Sequence, residues 1–220
     1  MVRFHQEFAV FPFLPFYAFP TEKLMILEGV VTTVNHEGVL NIAPMGPIVD
    51  PSTTQLTLRP FQTSTTYRNL KQCPVGVFHV VDDVLLIARS ALDRLEQTPE
   101  TFPAVRITGQ VLADCSRWYE FEITQIEDLS ERTTLTAQVI HVGRVRDFFG
   151  FNRAKHAVLE ATILATRLKL FPESEVRQQL AALASPVEKT AGPQERIAYA
   201  LVVDYINDWY QTQKSGARPH

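Results

Sequence analysis

No run of about 18 uninterrupted apolar residues occurs in this 220-residue chain, so no membrane-spanning helix is expected. Concentrated lysine or arginine is also missing, and the formal charge is -3. Nucleic-acid binding needs a dense cationic surface, so it is disfavoured. Cysteine is scarce. Cys73 and Cys115 lie far apart without metal-ligand spacing, as reduced thiols of a cytoplasmic protein would. Neither GxxxxGK[ST] nor GxGxxG is present, which removes a P-loop NTPase and a dinucleotide Rossmann fold. No serine or cysteine sits in a nucleophile elbow or a Cys-His constellation, so hydrolase chemistry has no support. His156 and Glu160 stand at i,i+4, but two ligands without a third do not make a metal site.

What is present is ordinary globular composition, 45% hydrophobic and 20% charged, enough for a core without staples. Residues 1–24 read as an aromatic and proline-rich arm. Pro12, Pro15 and Pro20 would interrupt any helix there, and no small-residue cleavage site follows. The expectation is an extended arm along a hydrophobic surface, with Met25 as an alternative natural start. Ile26 to Val34 reads as a strand, the turn Asn35-His36-Glu37-Gly38 follows, and Val39 to Ala43 is its hairpin partner. Gln55 to Arg59 alternates as a half-buried strand, and Thr63 to Lys71 is a short helix with hydroxyl capping. Val75 to Val81 is a strand, and Asp82-Asp83 cap a helix reaching Leu95. Ala104 to Ala113, Trp118 to Ile126 and Thr134 to Arg146 are three further strands. Period-2 patterns at this spacing indicate antiparallel sheet, and a Greek-key barrel is the economical way for about six strands to hide their edges. Beyond Phe148 the pattern becomes helical over Asn152–Phe171, Ser174–Ala184 and Pro193–Gln213. His79 and His141 fall on strands and read as hydrogen-bonded histidines.

Three segments could carry chemistry. In NIAPMGP, Asn41 to Pro47, the two prolines cannot donate to a ladder and Gly46 permits close approach. That frees backbone groups in a rigid edge, as the donor–acceptor edge of an isoalloxazine ring requires; a plain proline-rich turn has the same sequence. Arg59 with Thr63, Ser64, Thr65, Thr66, Tyr67 and Asn69 would suit a phosphate through free N–H groups, helix dipole and guanidinium fork. An ordinary cap and polar loop also accounts for them. In the third, Asn152 is a sound N-cap, yet Arg153, Lys155 and His156 crowd the first turn against the dipole, as though an anion were held there. Arg153, Glu160 and Arg167 recur every seven residues, either as a charge ladder or as a stripe facing a cleft.

ILEGVVTTVNHEGVLNIAPMGP, LTLRPFQTSTTYRNL, VVDDVLLIA and FNRAKHAVLEATILATRL, in this order from about Met25 to Leu170, resemble the family called domain of unknown function 447, one of the flavin-reductase-like FMN-binding split barrels. The resemblance implies a six-stranded Greek-key split β-barrel at 25–147 and a C-terminal helical subdomain or cap at 148–215, with a tail at 216–220. It also implies a homodimer with FMN at the interface. Family residues map onto Asn41, Ala43, Pro44, Met45 and Gly46 at the ring edge. They map onto Arg59, Thr63, Thr65, Thr66, Tyr67 and Asn69 at the phosphate, and onto Asn152 and Arg153 in the helical lid. The expected function is an FMN-dependent oxidoreductase acting on a small molecule. A non-catalytic FMN module (carrier, sensor or assembly subunit) is the alternative. No membrane or nucleic-acid partner is expected.

Overall fold

The computed structural model describes residues 24–215; the expected arm, apart from Leu24, and the 216–220 tail lie outside the described residues. Ten strands and five α-helices follow one another: β1 (Met25–Ile26), β2 (Gly29–Val34), β3 (Leu40–Met45), β4 (Ile48–Val49), β5 (Gln55–Leu58), α1 (Thr65–Gln72), β6 (Val75–Val80), α2 (Val84–Ala91), β7 (Thr101–Pro103), β8 (Gln110–Leu112), β9 (Arg117–Glu127), β10 (Thr134–Arg144), α3 (Arg153–Ala165), α4 (Glu173–Thr190) and α5 (Pro193–Ser215). A 3-10 turn at Leu168–Leu170 ends the α3 region. The main sheet has the order β1-β4-β5-β10-β9-β6-β2-β3, antiparallel throughout, and it curls into a half-barrel.

The expected count of six strands becomes eight segments because one hairpin is broken twice. Val30 pairs with Pro44 and Gly29 with Met45; beyond Leu27–Glu28 and Gly46–Pro47 the same two arms pair again as Ile26 with Ile48. The Leu27 N–H donates to the Pro47 carbonyl at 3.1 Å and bridges the bend. The expectation that Pro44 takes the strand away from its neighbour is therefore corrected. Pairing continues through Pro44, which an edge strand tolerates, and the break falls at Gly46–Pro47. Gly38, with φ of 80°, makes the turn that the sequence assigned to it.

Alternation sorts side chains to two faces. Val31, Phe78, Tyr119, Phe121 and Leu135 form the concave core, plugged by Leu70 of α1. Val30, Val77 and Trp118 point the other way into a core closed by α2 and the β7–β8 hairpin. Gly143 stands opposite Trp118, and a Cβ there would meet the indole at 2.0 Å. The expected strand Ala104–Ala113 is not formed. Thr101–Pro103 and Gln110–Leu112 make a separate two-stranded ribbon instead. The buried Glu120 carboxylate holds its loop, accepting from the backbone N–H groups of Val105 (2.8 Å) and Arg106 (2.6 Å).

Helices α2 to α5 form a second core around Ala161, Leu164, Leu168, Val202 and Ile206. Helix α2 is shorter than expected, ending before Leu92. Helix α4 is longer, running through Pro186 to Thr190 although the proline removes one backbone donor. Packing of Val187 against Ala154 and Ala157 compensates. No helix among the described residues is long and apolar enough to cross a membrane.

Candidate functional site

The ring-edge strand and the hydroxyl-rich helix meet. Asn41 on β3 donates through Nδ2 to Thr66 Oγ1 on α1 at 3.1 Å and to Thr33 Oγ1 on β2 at 3.2 Å. Asn69 donates to the same Thr33 oxygen at 3.1 Å. Two asparagines and two threonines thus fix α1 against the end of the β2–β3 hairpin. Thr33, Thr66 and Asn69 are buried, where each unanswered polar group would cost about 1–3 kcal/mol. Asn41, Ala43 and Met45 share one face of β3 by period 2, while Pro44 faces the other. As the last strand of the sheet, β3 leaves one backbone edge without a strand partner among the described residues.

Helix α1 is capped by Ser64, whose Oγ accepts from Tyr67 N–H at 3.2 Å and donates to Phe61 O at 2.7 Å. The backbone N–H groups of Thr65 and Thr66 find no acceptor among the described residues, as the first turn of a helix leaves them. Thr65 Oγ1 accepts from Arg68 at 3.1 Å, and Thr63 is exposed just before the cap. The Arg59 side chain, exposed after β5, has no hydrogen bond or ion pair among the described residues, while its carbonyl accepts from Arg132 Nε at 3.2 Å. Tyr67 and Asn69 are turned inward. The Tyr67 hydroxyl donates to Asp128 at 2.6 Å and accepts from Lys71 at 2.9 Å. The Tyr67 hydrogen bond and a second one from Lys71 to Asp128 at 2.9 Å, more than charge alone, hold the Asp128 carboxyl below the usual range.

Gly46 lies in the bend, and a Cβ there would come within 2.9 Å of the Glu28 carboxylate. Burial raises the Glu28 pKa; nearby Glu160 raises it further and Arg167 lowers it. Glu160 of α3 and Arg167 just after that helix therefore lie within electrostatic reach of Glu28.

Asn152 and Arg153 have no hydrogen bond or ion pair with the β3–α1 residues among the described residues. Asn152 Oδ1 accepts from Ala154 N–H (2.9 Å) and Lys155 N–H (3.1 Å), and its amide donates to the Thr190 carbonyl at 3.0 Å. Arg153 is exposed beside Phe151. The anion that the crowded first turn led us to expect is internal: Lys155 pairs with buried Glu195 of α5 at 3.0 Å. Burial acts to raise the Glu195 carboxyl, but the Lys155 hydrogen bond and charge and two backbone donors hold it below its ordinary value. Lys155 also donates to the Asp82 carbonyl at 2.5 Å.

Asp82 itself was legible only as a capping candidate, and Asp83 is the actual cap. The Asp82 carboxylate takes a two-pronged contact from Arg146 at 2.6 and 2.9 Å and the Phe149 N–H at 2.8 Å. The Arg146 hydrogen bonds hold it below the usual carboxylate range against its burial. His79 is enclosed, with Nδ1 3.1 Å from Val30 O and Nε2 accepting from Leu112 N–H at 3.1 Å. Burial pushes its pKa down to about 4, so it is a neutral core histidine.

No curated protein matches this chain in sequence. Among solved structures, an FMN-bound protein of Methanosarcina mazei is 24% identical, with 84% of this chain and 96% of that one covered at a TM-score of 0.70, which shows a shared fold. The styrene monooxygenase flavin reductase of Pseudomonas putida S12 aligns at 14% identity and TM-score 0.46, over 56% of this chain and 82% of its own. An FMN-binding protein of Thermus thermophilus aligns at 14% and 0.45, over 66% and 81%. Residues 27–146 match the model of the N-terminal domain, and residues 152–204 match the companion model that follows it. The chain belongs to the family described as Protein of unknown function (DUF447).

Proposed function

We propose that this protein binds FMN and acts as a flavin-dependent oxidoreductase on a small molecule. The Asn41–Thr66 hydrogen bond carries the reading, because it joins the open edge of β3 to the start of α1 at 3.1 Å. A nucleotide with a flat polar ring and a phosphate needs both. The donor set fits the group: two first-turn N–H groups, the Thr63 hydroxyl and the Arg59 guanidinium lack protein partners among the described residues. The fold shared with an FMN-bound member of the family supports it. Bound FMN would supply the hydride or electron transfer, which accounts for a chain without a catalytic triad or metal-ligand motif.

The finer architecture follows the same reading. Counting each bent arm of the β1–β2 and β3–β4 hairpin as one strand gives the six-stranded split barrel of residues 25–147, with 148–215 as its cap. A second copy completes the site. Ile140 and Val142 at the end of β10 and Phe149 and Phe151 in the segment after it are exposed, with Phe151 93% exposed. Such a strip calls for apolar cover, and it ends beside Arg153, which would then face the partner's flavin.

FMN titration of the purified protein tests the cofactor: absent uptake overturns the reading. Stopped-flow reduction by NADH, NADPH and reduced deazaflavin tests the reaction. Failure with all three removes the oxidoreductase and leaves a carrier, sensor or assembly subunit. Sedimentation giving a concentration-independent monomer refutes the shared interface.

A further inference from the structure

A second groove lies apart from the residues assigned to the flavin. Helix α2, the segment after it and the end of β8 enclose a groove of about 520 Å³. That size lies within the roughly 300–1,000 Å³ of small-molecule pockets. Arg89 lines it, and its Nε is enclosed without a hydrogen-bond partner. A buried donor left unanswered is costly, and cationic groups more so, so the groove lacks an acceptor that the chain itself does not provide.

Three carboxylates also line the groove, but two are engaged. Asp83 accepts from Leu86 N–H at 2.9 Å, and Asp114 accepts from Arg146 at 2.7 Å. The Glu100 carboxylate has no hydrogen-bond or ion-pair partner among the described residues, while its backbone carbonyl accepts from Ala113 N–H at 2.9 Å. A plain anion would satisfy Arg89 while facing uncompensated acidic groups. A plain cation would satisfy Glu100 and leave the Arg89 donor empty. Leu85, Leu95 and Leu112 supply apolar wall between them.

We propose that this groove binds a free aliphatic amino acid, its carboxylate on the Arg89 guanidinium, its ammonium on Glu100 and its side chain on the leucine wall. The site shares no residue with the flavin set, so it stands whether or not FMN binds. Arg89 reads the carboxylate as a fork, and Glu100 selects against simple carboxylic acids.

Calorimetric titration of the full chain with L-leucine, 4-methylpentanoate and 3-methylbutylamine tests this. Saturable leucine binding is expected, with each truncated analogue at least tenfold weaker. Arg89→Met should weaken leucine at least tenfold. Glu100→Gln should weaken leucine but not 4-methylpentanoate. Glu100 is exposed, so that variant and the analogue pair on the unaltered chain decide the matter even if Arg89→Met does not fold. Absence of leucine binding overturns the proposal. So does leucine binding unchanged by Glu100→Gln, or 4-methylpentanoate binding as tightly as leucine.

Discussion

Two helix starts carry similar promise in the sequence and different chemistry in the structure. Helix α1 begins within a run of four hydroxyl residues, and α3 begins after an asparagine with three basic residues in its first turn. At α3 the first-turn N–H groups after Arg153 are answered: Asn152 Oδ1 accepts from Ala154 and Lys155, Thr190 Oγ1 also accepts from Ala154 at 3.0 Å, the Asn152 carbonyl accepts from His156, and the Lys155 ammonium has Glu195. At α1 the Ser64 cap answers Tyr67 and leaves Thr65 and Thr66. A charged residue near a helix start therefore says little about ligands until its protein partner is known. Unanswered donors say more.

The largest effect should come from breaking the α3 pair. Lys155→Met leaves Glu195 buried without its counter-ion, a loss of about 3–5 kcal/mol, read from the denaturant midpoint. FMN affinity should barely change, and Lys155→Met with Glu195→Gln should recover part of the stability. A large loss of FMN affinity in the single variant would give Lys155 a ligand role beyond its pairing with Glu195.

Acid separates structural from ligand-facing polar groups next. His79 has its folded pKa depressed to about 4 from 6.5, so its contribution is full above pH 6.5 and falls as pH drops, levelling below about 4. The difference amounts to about 3 kcal/mol. Unfolding free energies between pH 7 and 4 should show this decline, and His79→Gln should flatten it.

Arg59→Ala tests the α1 side. FMN affinity should fall by about 1.5–3 kcal/mol, the range for hydrogen bonds to charged groups, with stability within about 0.5 kcal/mol, since the side chain is exposed. Equal affinity in this variant would erase the contrast between the two helix starts. The smallest effect is Asn152→Ala, a lost cap worth about 1 kcal/mol by thermal denaturation, with flavin titration unchanged.

The hairpin around Gly38, the hydroxyl cap of α1, the aspartate cap of α2 and the helical pattern of α3 were legible because each depends on neighbours within a turn or two. The α1–β3 meeting was legible only as a resemblance, since Asn41 and Thr66 are 25 residues apart. The part played by Glu120 was hidden for the same reason. It alternates with Phe121 along β9, and the β7–β8 ribbon, distant in sequence, covers it and uses its carboxylate to tie down Val105 and Arg106. The expected helix Ser174–Ala184 stops short of α4, which runs on through Pro186 because a distant apolar contact supports its last turns. The Asp82–Arg146 contact spans 64 residues and left no local trace.

The twice-broken hairpin constrains more than shape. Its two arms pair with each other on both sides of the bend, and each also pairs onward, β2 with β6 and β4 with β5. A one-residue slip at Val30–Pro44 would have to be repeated at Ile26–Ile48, and every side chain in both places would change face. The curled sheet is thereby locked in phase at its two rims by a single pair of segments, so misalignment at one rim is vetoed by the other.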